Sequence, residues 1–162
     1  MPTTPYILSP ADLVGLMTDS DVRDCLKLTA GNAPAIDDDS LVAPMNECVL
    51  QAWADMWGPL KNVAVEPAAP TKASIGAWTL ARLKRLSRYY LGLRHPESMI
   101  APAPGVKHPW LADYEKALGE VSDVGSGKDV LPAGLVPIPT TDPTSAGVRI
   151  SSDKRVGGCV IG

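Results

Sequence analysis

The sequence predicts a mainly α-helical fold, a small antiparallel bundle with a long extended C-terminal arm that contains short β segments. Three observations lead there. Apolar residues recur at helical spacing over 41–57, 74–94 and 110–124. The chain has 162 residues, which fits one domain, and 45% of them are hydrophobic, enough for a core. Its 14 Gly and 16 Pro exceed the usual share of about 12%, and many of them fall in a loop at 96–109 and in the tail. This division places a helical domain at 1–131 and the arm at 132–162.

Each element has a local signature. Ser9-Pro10-Ala11-Asp12 reads as an N-cap, a proline at the first helical position and an acid near the positive helix end, opening a short helix through Leu13, Val14, Leu16 and Met17. Asp19 or Ser20 caps a second short helix through Val22, Cys25, Leu26 and Leu28, which ends at Gly31. Asp37-Asp38-Asp39-Ser40 precedes the third, Leu41 to Trp57, stopped by Gly58-Pro59. Its apolar arc is wider than one core face needs, because Leu50, Trp53 and Trp57 spread well around it. Burial of these three residues against a second copy is an economical explanation.

The fourth helix, Ser74 to Arg94, sets Ile75, Trp78, Leu83, Leu86, Tyr89, Tyr90 and Leu93 against Lys84, Arg85 and Arg88 on its outer face. Arg82 falls among Trp78, Leu86 and Tyr89, so it needs a carboxylate at the core edge, and Asp55 is the best helix-borne candidate. The fifth helix runs from Trp110 to Val124 and starts at His108-Pro109. Between these two, Ala101 to Gly105 cannot continue a helix. Beyond Gly125-Ser126-Gly127, the only strand-like pieces are 147–151 and 155–161.

The residues offer no chemistry that points to an enzyme or to a cofactor. His95 and His108 each sit beside a proline at a helix boundary, and no nucleotide, zinc-protease or nucleophile-elbow motif is present. Asp37-Asp38-Asp39 lacks the spacing of a calcium loop and reads as helix capping. Cys25, Cys48 and Cys159 are odd in number and lack CxxC spacing, which leads us to expect a reduced, cytoplasmic chain. Neither a signal peptide nor a membrane span is expected.

Charge is informative in its distribution. The net charge of −3 argues against a protein that coats nucleic acid. Residues 1–71 hold ten acids and three bases, 72–94 six bases and no acid, and 95–162 eight acids and six bases, so the stretches carry −7, +6 and −2. Lys84, Arg85 and Arg88 are therefore expected to touch phosphates or an acidic face of a neighbouring copy.

Ile36-Asp37-Asp38-Asp39 before a long helix, the run from Ala81-Arg82-Leu83-Lys84-Arg85-Leu86-Ser87-Arg88-Tyr89-Tyr90-Leu91, then Trp110-Leu111-Ala112-Asp113-Tyr114-Glu115-Lys116-Ala117-Leu118 followed by Gly127-Lys128 and Leu131-Pro132, resemble in their order the Mu-like phage head-to-tail connector (adaptor) proteins. The closing stretch from Gly147 through Val156 is similar to that family's last motif, so the resemblance spans roughly 7–160. The chain departs from the pattern in its Pro-rich loop and in an end, 157–162, that lacks an aromatic.

The resemblance implies a non-enzymatic helical subunit of a homo-oligomeric ring, commonly twelvefold, that sits beneath the portal protein in the virion neck after synthesis in the host cytoplasm. Such a ring receives the tail or a neck stopper protein, and packaged DNA passes through its channel without specific binding. On this reading the arm docks on the portal through Val148, Arg149, Ile150, Arg155, Val156, Val160 and Ile161. The alternative is a small helical nucleic-acid-binding or regulatory protein that uses the basic helix at 82–88.

Overall fold

The computed structural model describes residues 7–27 and 34–139, and within them the chain is mainly helical. Four α-helices, α1 (Asp19–Leu26), α2 (Val42–Leu60), α3 (Gly76–Arg94) and α4 (Pro109–Gly125), are joined by 3₁₀ turns at Pro10–Leu13, Asp39–Leu41 and Pro96–Met99. Two short strands, β1 (Ala64–Val65) and β2 (Val136–Pro137), pair antiparallel, with Ala64 opposite Pro137 and Val65 opposite Val136.

The helix starts follow local capping chemistry. Ser9 and Asp12 form a reciprocal box in which the Ser9 backbone N–H and hydroxyl both donate to Asp12 Oδ2 at 2.7 Å. Burial on its own would raise the Asp12 pKa, but Lys72 and the Ser9 donors together hold it below the ordinary carboxylate value. The element is a single 3₁₀ turn, shorter than the helix expected through Met17, because the chain turns at Gly15 and bridges back at Met17. Thr18, and not Asp19 or Ser20, caps α1, its hydroxyl accepting from the Asp21 N–H at 3.1 Å. Helix α1 ends at Leu26 with Lys27 as its C-cap, and the expected continuation at Leu28 and stop at Gly31 lie outside the described residues. Asp38 caps the turn before α2 by accepting from the Ser40 N–H at 2.8 Å. His108 Nδ1 accepts from the Trp110 N–H at 3.2 Å, with Pro109 at the first position of α4.

Helix α2 continues past Gly58-Pro59 to Leu60, where the sequence reading stops it at Trp57. Proline lacks only its own donor, and the Lys61 N–H still bonds to the Trp57 carbonyl at 3.1 Å, so the turn closes. Leu41, Met45, Ala52, Met56, Leu60, Leu83, Leu86, Leu91, Ala117 and Val121 are almost wholly buried at the centre. At about 25 cal/mol per Å² of apolar surface removed from water, each large aliphatic side chain among them contributes roughly 1.5–3 kcal/mol. Helices α2, α3 and α4 all pack on one another, and α3 also receives α1 and the turns at Pro10–Leu13 and Pro96–Met99, which makes it the central element of the bundle.

After α4 the chain returns to the body. Gly76 (φ +73°) and Gly134 (φ +95°) meet backbone to backbone: a Cβ on Gly76 would lie 2.5 Å from the Ala133 carbonyl, and one on Gly134 would lie 2.9 Å from Gly76 Cα. Leu131 and Leu135 pack against the core nearby. Residues 132–139, the first part of the arm as read from sequence, thus lie against the helical body and contribute β2 to its sheet.

Candidate interaction surfaces

Leu50, Trp53 and Trp57, expected at a contact between copies, have different fates. Trp53 is 8% exposed and Trp57 4%, and their rings lie 5.6 Å apart inside this chain's own core. Trp53 Nε1 donates to Glu66 Oε1 at 2.7 Å just past β1. The wide apolar arc of α2 is therefore used within one chain, because α3, α4 and the turn at Asp39–Leu41 all pack on it. Leu50 alone stays open, at 40% exposed.

The expected Arg82–Asp55 pair is not formed. Arg82 instead bonds to Glu120 on α4, with Nε and Nη2 at 2.7 and 2.5 Å from Oε2, while its guanidinium stacks 4.4 Å from the Trp78 ring. Asp55 faces two phenols: its Oδ2 accepts from the Tyr90 hydroxyl at 2.5 Å and the Tyr114 hydroxyl at 2.9 Å. Tyr89 stacks on Tyr114 with centroids 4.1 Å apart. Burial first, and then the Asp55 carboxylate, pushes both the Tyr90 and Tyr114 hydroxyls above their ordinary pKa. The aromatic-rich seam between α3 and α4 gave no sequence signal for this bond, since a helical angle does not tell which of two acids a long arginine reaches.

Arg88 is also placed differently from the sequence reading, which put it on the outer face. It is buried, donating from Nη1 to the Leu16 carbonyl at 2.9 Å and from Nη2 to Asp113. Its guanidinium lies 5.8 Å from the centre of the Trp110 ring. The turn at 15–17 covers this side of α3, which periodicity within α3 does not reveal.

Lys84 and Arg85 do stay at the surface, half-buried, and form no ion pair among the described residues. The other four bases of 72–94 are all engaged: Lys72 with Asp12, Arg82 with Glu120, Arg88 with Asp113 and Arg94 with Glu47.

A separate apolar surface covers one face of the β1–β2 pair. Val65, Val136 and Ile138 project from it, with Val136 at 63% exposed. The Ile138 N–H bonds to the Val63 carbonyl at 3.1 Å, so by alternation the backbone of residues 137 and 139 points away from β1. Both are prolines, and the Leu135 N–H is spent on the Pro132 carbonyl at 3.3 Å. The free edge of β2 therefore offers no N–H donor from 135 to 139, the arrangement that keeps an edge from accepting another strand.

Cys25 and Cys48 are buried free thiols, and burial pushes the Cys48 thiol up to about 11. Cys25 lines a hollow of about 390 Å³ with Asp21, Asp24, Lys27 and His95, and no group able to hold a metal ion occurs among the described residues. No described helix is long and apolar enough to cross a membrane. Val148, Arg149, Ile150, Arg155, Val156, Val160 and Ile161 lie outside the described residues. No family model, curated protein or solved structure matches this chain.

Proposed function

We propose that this protein is a structural subunit of a phage head-to-tail connector, a ring beneath the portal that joins the DNA-filled head to the tail. The order of sequence features along 7–160 carries the reading. The fold supports it in two ways. A helical bundle offers a rigid wall element, and the Gly76–Gly134 contact with the β1–β2 pair holds the chain against it up to residue 139, the last described residue before the expected docking segment. An arm rooted at a fixed point can reach a partner in a defined direction. Its 23 residues span at most about 80 Å when extended. In the virion neck this subunit meets copies of itself, the portal above and a tail or stopper protein below, while DNA passes without specific contact.

The nucleic-acid reading is weaker. Only Lys84 and Arg85 of the expected basic set remain available, and two phosphate contacts give a salt slope of only about −1.8, too shallow for stable non-specific binding.

Truncation tests the connector reading, and residue 139 is the place to cut, because 132–139 pack on the body. A chain ending there should remain folded by circular dichroism and fail to co-sediment with purified portal, while the full chain forms annular complexes visible by negative-stain microscopy. Equal portal binding by the truncated and full chains would refute the role given to the arm. Failure of the full chain to bind any portal of its own phage would refute the reading itself.

A further inference from the structure

The six bases of 72–94 form the chain's one strongly positive stretch, and the fold spends four of them on its own acids. The two left over are neighbours, Lys84 and Arg85, in the middle of α3. Complementary charge is present elsewhere on the same chain. Asp37 and Asp39 are exposed just before α2 and make no side-chain hydrogen bond or ion pair among the described residues, whereas Asp38 between them is committed to the Ser40 cap.

The two sites cannot meet within one molecule. Helices α2 and α3 run antiparallel, as the Glu47–Arg94 and Asp55–Tyr90 contacts require. The acids before α2 therefore lie at or beyond the C-terminal end of α3, at least about ten residues, or roughly 15 Å of helix, from Lys84 and Arg85.

We infer that Lys84 and Arg85 of one copy engage Asp37 and Asp39 of a second copy, in a heterologous contact that brings different surfaces of the two molecules together. The inference deepens the connector reading and rests on it for the supposition that copies meet at all. Donor and acceptor patches at separate places on one molecule generate closed rings or open chains, not isolated pairs. Guanidinium and ammonium donors opposite two carboxylates match in number, and neither partner must break an internal bond to engage. The contact supplies orientation and encounter rate more than affinity, as is usual for half-exposed charge pairs.

Complementary charge reversal tests the contact. The variants are K84E/R85E and D37K/D39K, which spare the Asp38 cap, with K84Q/R85Q as a milder companion should reversal disturb α3. Light scattering after size exclusion is measured at low and physiological salt. The expected result is that the full chain assembles beyond its 17.1 kDa monomer, that each reversed variant alone stays monomeric, and that an equimolar mixture regains assembly as alternating species larger than a dimer. In that mixture the patches left unaltered on the two variants still fit each other, and the two reversed patches also form a complementary pair.

Assembly of either reversed variant as readily as the unaltered chain would overturn the inference and leave the ring reading standing. An unaltered chain that stays monomeric at low salt, both alone and with portal present, would overturn both. If K84E/R85E lost binding to a short DNA duplex but kept self-association, the pair would be a phosphate contact and the inference would fail.

Discussion

Replacing Arg88 should destabilise the fold by about 2 kcal/mol, and the figure follows from what surrounds it. The guanidinium donates to the Leu16 carbonyl at 2.9 Å from a nearly buried position, and a charged hydrogen bond of that kind is worth roughly 1.5–3 kcal/mol. Truncation to Ala also removes two buried methylenes, at about 0.8 kcal/mol each. The Asp113 side of the interaction adds little, since that carboxylate is 45% exposed and water replaces the arginine, leaving at most about 1 kcal/mol. One effect opposes these: Arg88 Nε is buried without an acceptor, and removing it relieves roughly 1–3 kcal/mol of desolvation. The balance is near 2 kcal/mol for R88A, or about 4–8 °C in Tm for a domain of this size.

Two further variants separate the parts. R88M keeps the stem and loses the charge, so it should fall between R88A and the unaltered chain, while D113N should cost no more than about 1 kcal/mol. Urea unfolding followed by tryptophan fluorescence reads all three. An R88A midpoint that corresponds to less than about 0.5 kcal/mol would refute the claim that this arginine ties the 15–17 turn to α3 and α4.

Three other outcomes follow from the same geometry. Tyr90 and Tyr114 have raised folded-state pKa values, so they ionise more readily when unfolded, and their contribution to stability is complete below the ordinary tyrosine pKa of 10.0 and is lost as pH rises beyond it. The alkaline limb of a Tm–pH profile should flatten in a Y90F variant, and an unchanged limb would count against the Asp55 cluster. In a C159S background, thiol labelling of the native protein should be suppressed roughly 100-fold at Cys48, since a thiol shifted from 9.0 to about 11 holds about a hundredth of the thiolate. Labelling as fast as in urea would contradict its burial. Replacing Pro137 and Pro139 together with Val restores donors to an apolar strand edge, and the variant should gain thioflavin-binding aggregates at concentrations where the unaltered chain has none.

Much of the bundle was legible because its signals are local. Ser9, Asp12, Asp38 and His108-Pro109 mark helix starts through atoms only a few residues away, and apolar spacing in the three long helices places Leu83, Leu86, Ala117 and Val121 inward regardless of what covers them. The side-chain partners were not legible. Arg82 had Asp55 and Glu120 within plausible reach, and the choice depends on how α3 sits between α2 and α4. Arg88 reads as exposed on a helical wheel because its cover, the Leu16 turn, is 72 residues distant. Trp53 and Trp57 reflect a similar limit: an arc too wide for one neighbour implies two, but periodicity does not say whether the second belongs to the same chain.

The charge alternation changes meaning for the same reason. Along the sequence, −7, +6 and −2 read as surfaces prepared for other molecules. In the fold, the acidic first stretch supplies Asp12 and Glu47, the last supplies Glu120 and Asp113, and α3 together with Lys72, four residues before it, supplies the shared positive partners. Most of the alternation thus helps register the helices. Of the bases in 72–94, two are left unpaired among the described residues, and with a Debye length near 8 Å at physiological salt they act only at contact range. Electrostatics can then decide which surface of a second copy approaches α3, but it cannot hold a ring together. In the proposed ring the free energy of assembly would have to come from apolar area, and the face of Val65, Val136 and Ile138 is exposed at the end of the described chain. Because prolines close the adjacent strand edge, a partner must pack on that face and cannot extend the sheet through β2, which favours a defined assembly over open-ended strand addition.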